Sequence, residues 1–523
     1  MEQNREVDTF AQARLWLFSP QARAAVVQLF HSPFLLTFSI HIPHRMRADI
    51  QTVLAQAPFP VLGQIAREMN LRVYAIGGYV RDLLLGRPSK DIDIVVEGRG
   101  IDLAKAFAQQ TGTKVAVYEN FGAAMVRCDD LEVEFVGARR ESYRRDSRKP
   151  IVEAGTLHED QLRRDFTINA LSISLNPDTW GELIDPFGGI GDLEARIIRT
   201  PTDPEITLSD DPLRMMRGIR FATQLGFSIE PRTYQAMSAL HDRIDIISQE
   251  RINDELTKII MADLPSTGFK MLFQTGLLAH FFPELVRMHG VEYMQGRGHK
   301  DNFYHTLQVL DNVAAKSDNL WLRWVALLHD IAKPLTKRYD PAMGWTFHGH
   351  EDKGARMVPK IFRRMKLPLG EPLTYVEKLV RLHQRPIALV SEEVSDSAIR
   401  RIVVDAGEDL DDLLDFCRAD ITSRNEHKVQ QFLANYDALA LRIREVQERD
   451  NLRNWQPPVT GDMIMAAFNI PPSRTVGLIK HEVCEAILEG IIPNEAAAAV
   501  AYMHEVAPRL LAQYDHLRPD DTA

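Results

Sequence analysis

Between Ala75 and Gly98 the sequence reads AIGGYVRDLLLGRPSKDIDIVVEG. Asp91 and Asp93 stand at the start of a predicted strand, where side chains at i and i+2 leave the same face. Ile92 and Ile94 then face a core. Two carboxylates on one face suit a pair of Mg²⁺ ions roughly 3.5–4 Å apart, which activate an attacking oxygen and hold a leaving phosphate. Gly77-Gly78 closes an apolar run and opens a short amphipathic segment, Tyr79 to Leu85. The free N–H groups of such a helix start can receive phosphate oxygens. Taken singly, a Gly pair is an ordinary tight turn and Asp-x-Asp an ordinary solvated strand edge.

Two further clusters carry related chemistry. The first runs Arg163-Arg164-Asp165-Phe166-Thr167-Ile168-Asn169-Ala170. Adjacent guanidinium forks can grip triphosphate or ribose oxygens. Asp165 and Asn169 share a face if the segment is helical; alone, the same residues read as a surface salt-bridge helix. The second runs from Asp210 to Phe221, DDPLRMMRGIRF. Pro212 fits the first helical position, which makes Asp211 the natural N-cap. Arg214, Arg217 and Arg220 recur every three residues beside that acid. A carboxylate accepts from an exocyclic amine while a guanidinium donates to a ring nitrogen. Cytosine and adenine offer that edge; guanine and uracil do not. Asp211 with Arg214 would then select CTP and ATP without a nucleic-acid template.

A different chemistry is written in imidazoles. His305 opens the helical pattern HTLQVLDNVAAK, and His329-Asp330 closes another before Pro334. His350 begins HEDKGA, and His383 and Asp420 follow. Each histidine alone is an ordinary core or surface residue. As an ordered set, imidazole and carboxylate ligands suit Mn²⁺, Fe²⁺, Ni²⁺ or Zn²⁺, with Mg²⁺ as an alternative. Such a metal makes hydroxide from water and polarises a phosphoryl oxygen. His348 competes with His350 for the third position. Lys333, Lys337 and Arg385 lie near these ligands in sequence and could meet a substrate phosphate.

The elements that must position these groups fall into two classes. Strand patterns occur at Val73–Ile76, Asp91–Val96, Lys114–Tyr118, Ala123–Arg127, Glu132–Val136 and Leu171–Leu175, alternating with helical ones. Glu132 and Glu134 form another i, i+2 acidic pair, as readily a solvated strand face as a source of a third metal carboxylate. From Pro212 onward the pattern is mostly helical, strongest over Leu320–Ile331 and Leu373–Leu382. The run Arg139 to Lys149, RRESYRRDSRK, reads as a solvated loop within a long connection from Gly137 to Gln161. The fold class is therefore α+β: an α/β head, then an all-helical remainder. Expected divisions are an N-terminal extension 1–46, a head 47–198, a neck 199–275, a metal-bearing domain 276–425 and a tail 426–523, with a linker at Pro457-Pro458.

Length and composition bound the rest. A chain of 523 residues holds about three to five domains. No run of about 18 apolar residues is present, so no membrane span is expected. Cys128, Cys417 and Cys484 lie far apart without metal-ligand spacing, which suits a reducing cytoplasm. A net charge of −10 disfavours a chain coated in nucleic acid but allows a local basic patch. Residues 1–45 lack the plan of a signal peptide. Met46 is a candidate translation start, since a clean helical pattern follows it. The sequence does not set an oligomeric state.

GGYVRDLLLG…DID, RRDFTINAL and DDPLRMMRGIRF, in this order, resemble the class II tRNA nucleotidyltransferase and bacterial poly(A) polymerase family, whose head is polymerase β-like. The resemblance spans about residues 70–260. It implies CCA addition to tRNA 3′ ends from CTP and ATP, with tRNA rather than DNA as partner. By resemblance, Asp91 and Asp93 bind the catalytic Mg²⁺ ions. Gly77, Gly78 and Arg81 face the triphosphate; Arg163, Arg164, Asp165 and Asn169 hold ribose and phosphates. Asp211 and Arg214, with Arg217 beside them, read the base. Asp210 stands where many relatives carry Glu, a conservative change. The family uses a flexible loop between these motifs to pass from C to A addition. The long Gly137–Gln161 connection favours full CCA synthesis over CC-only addition and leaves A-only addition open. A poly(A) polymerase would share the head motifs. The set His305, His329, Asp330, His350, His383 and Asp420 resembles the HD phosphohydrolase superfamily, which implies hydrolysis of a phosphomonoester, a nucleotide or a 2′,3′-cyclic phosphate.

Overall fold

The computed structural model describes residues 50–144, 147–390, 395–422, 425–450 and 458–514. The described residues fall into two units that divide between Ala57 and Pro58. In the first, residues 50–54 are helical; Met46 and the extension before it lie outside the described residues. Everything below belongs to the second unit.

The head is built on strands β1 (Arg72–Ile76), β2 (Asp91–Glu97), β3 (Val115–Tyr118), β4 (Ala123–Cys128), β5 (Leu131–Gly137), β8 (Ser172–Ser174) and β9 (Leu183–Ile184), in the order β3-β4-β5-β2-β1-β8-β9. The central pair is set by hydrophobicity. In β2, Ile92, Ile94, Val95 and Val96 are buried, and β1 buries Val73, Ala75 and Ile76. A strand buried on both faces must sit mid-sheet. β2 runs antiparallel to β1 and parallel to β5, with Asp93 opposite Ile76 on one side and Glu134 on the other. The Gly100–Thr111 helix covers one face, with Leu103, Ala104 and Phe107 buried.

The sequence reading is corrected at the connection after β5. The described residues of the Arg139–Lys149 run are not a solvated loop. β6 (Arg139–Arg144) pairs antiparallel with β7 (Ser147–Ala154), and the Leu157–Leu162 helix follows behind a Thr156–Glu159 capping box. Charged residues dominate this hairpin, so hydrophobic patterning does not reveal it.

Past residue 200 the described elements are mainly helices. The Gln249–Ile260 helix packs on the Leu213–Leu225 helix. Arg323, with its side chain 3% exposed, joins two helix ends. Its guanidinium donates to the carbonyls of Ile260 and Ala262 at 2.8 and 3.0 Å, and to those of Ala314 and Ser317 at 3.2 and 3.0 Å. Carbonyls at a helix C-terminus lack intrahelical partners and attract a cation. The predicted Leu320–Ile331 helix stops at Leu328, and Glu371–Leu382 contains the predicted Leu373–Leu382. A separate small core formed by Val459, Ile464, Ile479, Val483, Ala499, Met503 and their neighbours closes the chain. Pro457 lies outside the described residues. Among them, no helix is long and apolar enough to cross a membrane.

Candidate active sites

The first site is a polar cleft of about 910 Å³ at the start of β2. Asp91, Asp93 and Glu134 all line it. The parallel β2–β5 register sets Glu134 beside Asp93. Burial raises the pKa of both carboxyls, and their mutual repulsion raises that of Glu134 further. Three close carboxylates in a cleft fit one or two hard cations. Glu134 stands outside the residues the sequence singles out for catalysis. An i, i+2 acidic pair is too common to read, and the register with Asp93 exists only after folding.

Gly77 is required where it stands. Its φ is +80°, and a Cβ there would lie 2.8 Å from Arg164 Nη1 and 3.0 Å from Asp93 Oδ2. A side chain would push the arginine away from the carboxylate. Gly78 opens the Gly78–Leu84 helix, as expected.

The arginines are arranged by buried acids. Arg163 and Arg164 both reach Asp160, at 2.5 and 3.2 Å, and Arg163 also reaches Glu141 of β6 at 3.2 Å. Arg81 holds Asp82 and donates to Asn169 Oδ1 at 2.7 Å. Asn169 donates to Asp165 at 3.0 Å, and Arg217 grips the same carboxylate at 2.7 Å. Burial alone would raise the pKa of Asp165; Arg217 and Asn169 hold it well below the ordinary range instead. The segment through Asp165 and Asn169 is not an α-helix, so the condition for their sharing a helix face is not met. The chain turns after Leu162 and makes only a 3₁₀ turn at Thr167–Asn169. The two side chains meet through that turn rather than across a helix face.

Asp211 and Arg214 share the cleft with the carboxylates. The Leu213–Leu225 helix begins one residue later than predicted. Asp211 nonetheless accepts from the Leu213 N–H through Oδ1 at 3.2 Å, so it caps with one oxygen. Arg214 donates to the Thr207 and Arg163 carbonyls at 3.0 and 2.5 Å, which fixes its plane. Arg81, Arg217 and Arg220 stand 4.9, 5.5 and 3.9 Å from the centroid of the Phe221 ring. Sequence reasoning had no signal for this aromatic hub.

The second site joins residues from five helices or their ends. His305 Nε2 lies 3.0 Å from Asp420 and 3.6 Å from Asp330. His329 Nε2 lies 3.2 Å from Asp330, and His350 Nε2 lies 3.2 Å from its other oxygen. The His329–His383 and His350–His383 ring centroids are 5.4 and 5.3 Å apart. All six expected residues therefore converge. His329, His350 and His383 each donate Nδ1–H to a carbonyl, of Ala326, Phe347 and Val380, at 2.9, 2.8 and 2.7 Å. That bond sets the tautomer and leaves Nε2 as the acceptor.

The donor set fits a metal. His329 Nε2, His383 Nε2 and Asp420 Oδ1 are buried without a hydrogen-bond partner, and Asp330 Oδ2 beside them meets only the Lys333 ammonium. Burying such atoms unpaired costs free energy, and a cation would satisfy them together. Burial and His329 push His383 down to about 4, which keeps its ring neutral. Asp330 and Asp420 titrate below their ordinary range because the surrounding imidazoles outweigh burial. His348 is exposed whereas His350 is buried, which separates the two sequence candidates. Lys333 reaches Asp330 at 2.7 Å. Lys337 instead pairs with Glu292, and Arg385 with Asp405. A pocket of about 880 Å³ beside His305 is lined by Lys300, Tyr304, Gln308 and Thr422.

Residues 73–199 match the poly A polymerase head domain. Residues 226–288 match the "Probable RNA and SrmB-binding site of polymerase A", and residues 302–425 match the HD domain. An A-adding tRNA nucleotidyltransferase of Deinococcus radiodurans is 30% identical over 444 residues, covering 83% of this chain and 96% of that protein. A multifunctional CCA protein of Shewanella frigidimarina is 34% identical over 307 residues, covering 57% and 70%. A CCA-adding enzyme solved with ATP aligns over 90% of this chain and 98% of its own, with a TM-score of 0.59 and 22% identity; this shows a common fold.

Proposed function

This chain belongs to the family of tRNA nucleotidyltransferases and poly(A) polymerases, and from that premise we propose that it adds CCA to tRNA 3′ ends, using CTP and ATP without a template. The observation that carries the reading is a single cleft holding the Asp91–Asp93–Glu134 carboxylates together with Asp211 and Arg214. Asp91 and Asp93 would hold Mg²⁺, with Glu134 as a third carboxylate. When bound, the metal supplies activation of the attacking 3′-hydroxyl and charge neutralisation at the leaving pyrophosphate.

The chain's own residues do the positioning. Gly77, Gly78 and Arg81 would face the triphosphate. Arg163 and Arg164, held by Asp160, would grip ribose and phosphate oxygens. Asp165 and Asn169 hold Arg217 and Arg81 in place without contacting solvent broadly. The uncommitted Asp211 oxygen would accept the amine of C or A, and the fixed Arg214 plane would donate to the ring nitrogen. Exposed Arg251 and Lys258 at the cleft rim suit phosphates of an acceptor stem.

We assign residues 47–198 to the head, 199–275 to the neck, 276–425 to the HD domain and 426–523 to the tail. His305, His329, Asp330, His350, His383 and Asp420 would hold a divalent transition metal, or Mg²⁺, and hydrolyse a phosphate ester. The use is 3′-end repair: one site clears a damaged tRNA end, the other rebuilds CCA. A second reading, A-only addition, is favoured by the Deinococcus relative, whose length this chain nearly spans.

Incorporation of labelled CTP and ATP into tRNA lacking CCA tests the reading, beside an Asp91→Ala/Asp93→Ala control. Two C and one A followed by a stop, lost in the control, is the expected result. Addition of A alone to tRNA ending in CC establishes the second reading. A long A tail, or no incorporation, defeats both.

A further inference from the structure

The neck contains a cluster that neither active site uses. Ser248 and the Pro231–Ala239 helix bracket a 3₁₀ turn, His241–Ile246, which packs against the short Leu278–Phe281 helix. His241 Nδ1 lies 2.8 Å from His280 Nε2. Asp242 Oδ1 lies 3.1 Å from the first nitrogen and 3.6 Å from the second. These three distances form a triangle small enough for one ion to sit about 2.1 Å from every corner, the ordinary zinc–ligand length.

The surroundings suit that use. Asp245 Oδ1 accepts from His280 Nδ1–H at 2.9 Å, which makes Nε2 the acceptor that faces His241 Nδ1. A carboxylate behind a ligating imidazole orients the ring and raises its basicity. His280 is only 18% exposed, so its ring is held in place. Gly276 has φ +85°, and a Cβ there would lie 3.2 Å from His241 Cγ, so the glycine makes room for that ring. Two carboxylates, of Asp242 and Asp245, stand beside the two imidazoles. Asp242, 81% exposed, keeps the remaining coordination position open to solvent.

We propose that His241, Asp242 and His280 bind one divalent transition-metal ion of the Zn²⁺ type, with Asp245 orienting His280. The ion clamps the 3₁₀ turn to the Leu278–Phe281 helix. Arg243 of the same turn donates to the Ser209 carbonyl at 3.0 Å, so the clamp steadies the segment that leads into Asp210 and Asp211. This site stands apart from the HD cluster and does not rest on the proposed activity.

The test uses the full chain, stripped of metal, and its Asp242→Asn and His280→Gln variants. Each is dialysed against low-micromolar Zn²⁺, and zinc per chain is read by inductively coupled plasma mass spectrometry. The intact HD site is the internal reference. Each variant should hold one zinc fewer than the parent, and Asp245→Asn should weaken the same site about tenfold. Asp242→Asn is decisive, because an exposed side chain can change without unfolding the neck. A zinc content equal to the parent's in Asp242→Asn overturns the proposal and leaves the imidazoles as a hydrogen-bonded pair.

Discussion

At the scale of single residues, the head cleft is a set of acids that aim arginines. Asp165 shows the energetics. Its folded pKa is depressed by Arg217 and Asn169 against the pull of burial. A depressed carboxyl contributes stability that is fully present above the unfolded value near 4 and is lost as pH falls toward the folded value. Asp165→Asn should therefore cost about 2 kcal/mol at neutral pH, the worth of a buried hydrogen bond to a charged group. Urea unfolding followed from pH 7 down to pH 3 should show that penalty shrinking; a pH-independent loss would contradict the assignment. Glu134 makes a different claim. If it completes the carboxylate set with Asp91 and Asp93, Glu134→Gln should slow nucleotide incorporation about 10- to 100-fold. Its melting temperature should not fall, because burial already penalises that charge. Unchanged turnover at saturating Mg²⁺ would remove Glu134 from the site.

At the scale of elements, the β6–β7 hairpin is the part to alter. Glu141 on β6 meets Arg163 and Arg139, at 3.2 and 2.8 Å, and so docks the hairpin on the head cleft. Replacing Arg139–Ala154 by a short linker should leave C addition intact and abolish the terminal A, read as products one nucleotide short. Full CCA products from that deletion would show that the hairpin has no part in the switch. This hairpin also marks where sequence stops being informative. β1, β2, β4 and β5 lie within a residue or two of their predicted limits because their cores are apolar and their ends are turns. β6 and β7 carry the run RRESYRRDSRK, whose charges hide strand alternation. Likewise, the DID motif and the six residues of the second cluster were legible from residue type, order and resemblance to known families. Glu134 was legible only as an even choice between a metal carboxylate and a solvated strand face, and Phe221 and the His241–His280 pair were not, since each acquires its neighbour only through tertiary contact.

At the scale of the whole molecule, two metal-competent centres lie on one chain and should be separable by experiment. His350→Gln removes a ligand of the second centre without touching the first. It should abolish metal-dependent opening of a 2′,3′-cyclic phosphate RNA end and leave nucleotide incorporation within about twofold, a difference that RT ln 2 makes energetically trivial. Parallel loss of both activities would mean that the two centres are not independent. Mn²⁺ or Ni²⁺ at about a hundred times its Kd should also stabilise the parent by about 2.7 kcal/mol, because the orphaned atoms of His329, His383 and Asp420 gain a partner. The variant should gain clearly less in a thermal melt. Independence in chemistry is not independence in descent. Arg323 answers the last carbonyls of helices that end near Ile260 and Ala314, one from the neck and one from the HD region. A recombination event with its breakpoint between residues 262 and 314 would part the guanidinium from the Ile260 and Ala262 carbonyls, leaving it only those of Ala314 and Ser317, and would leave the neck helix end without its cation. Exchange of whole modules between relatives is therefore disfavoured inside that interval, and a transplanted head needs a junction beyond residue 323 or a partner sequence that brings its own arginine.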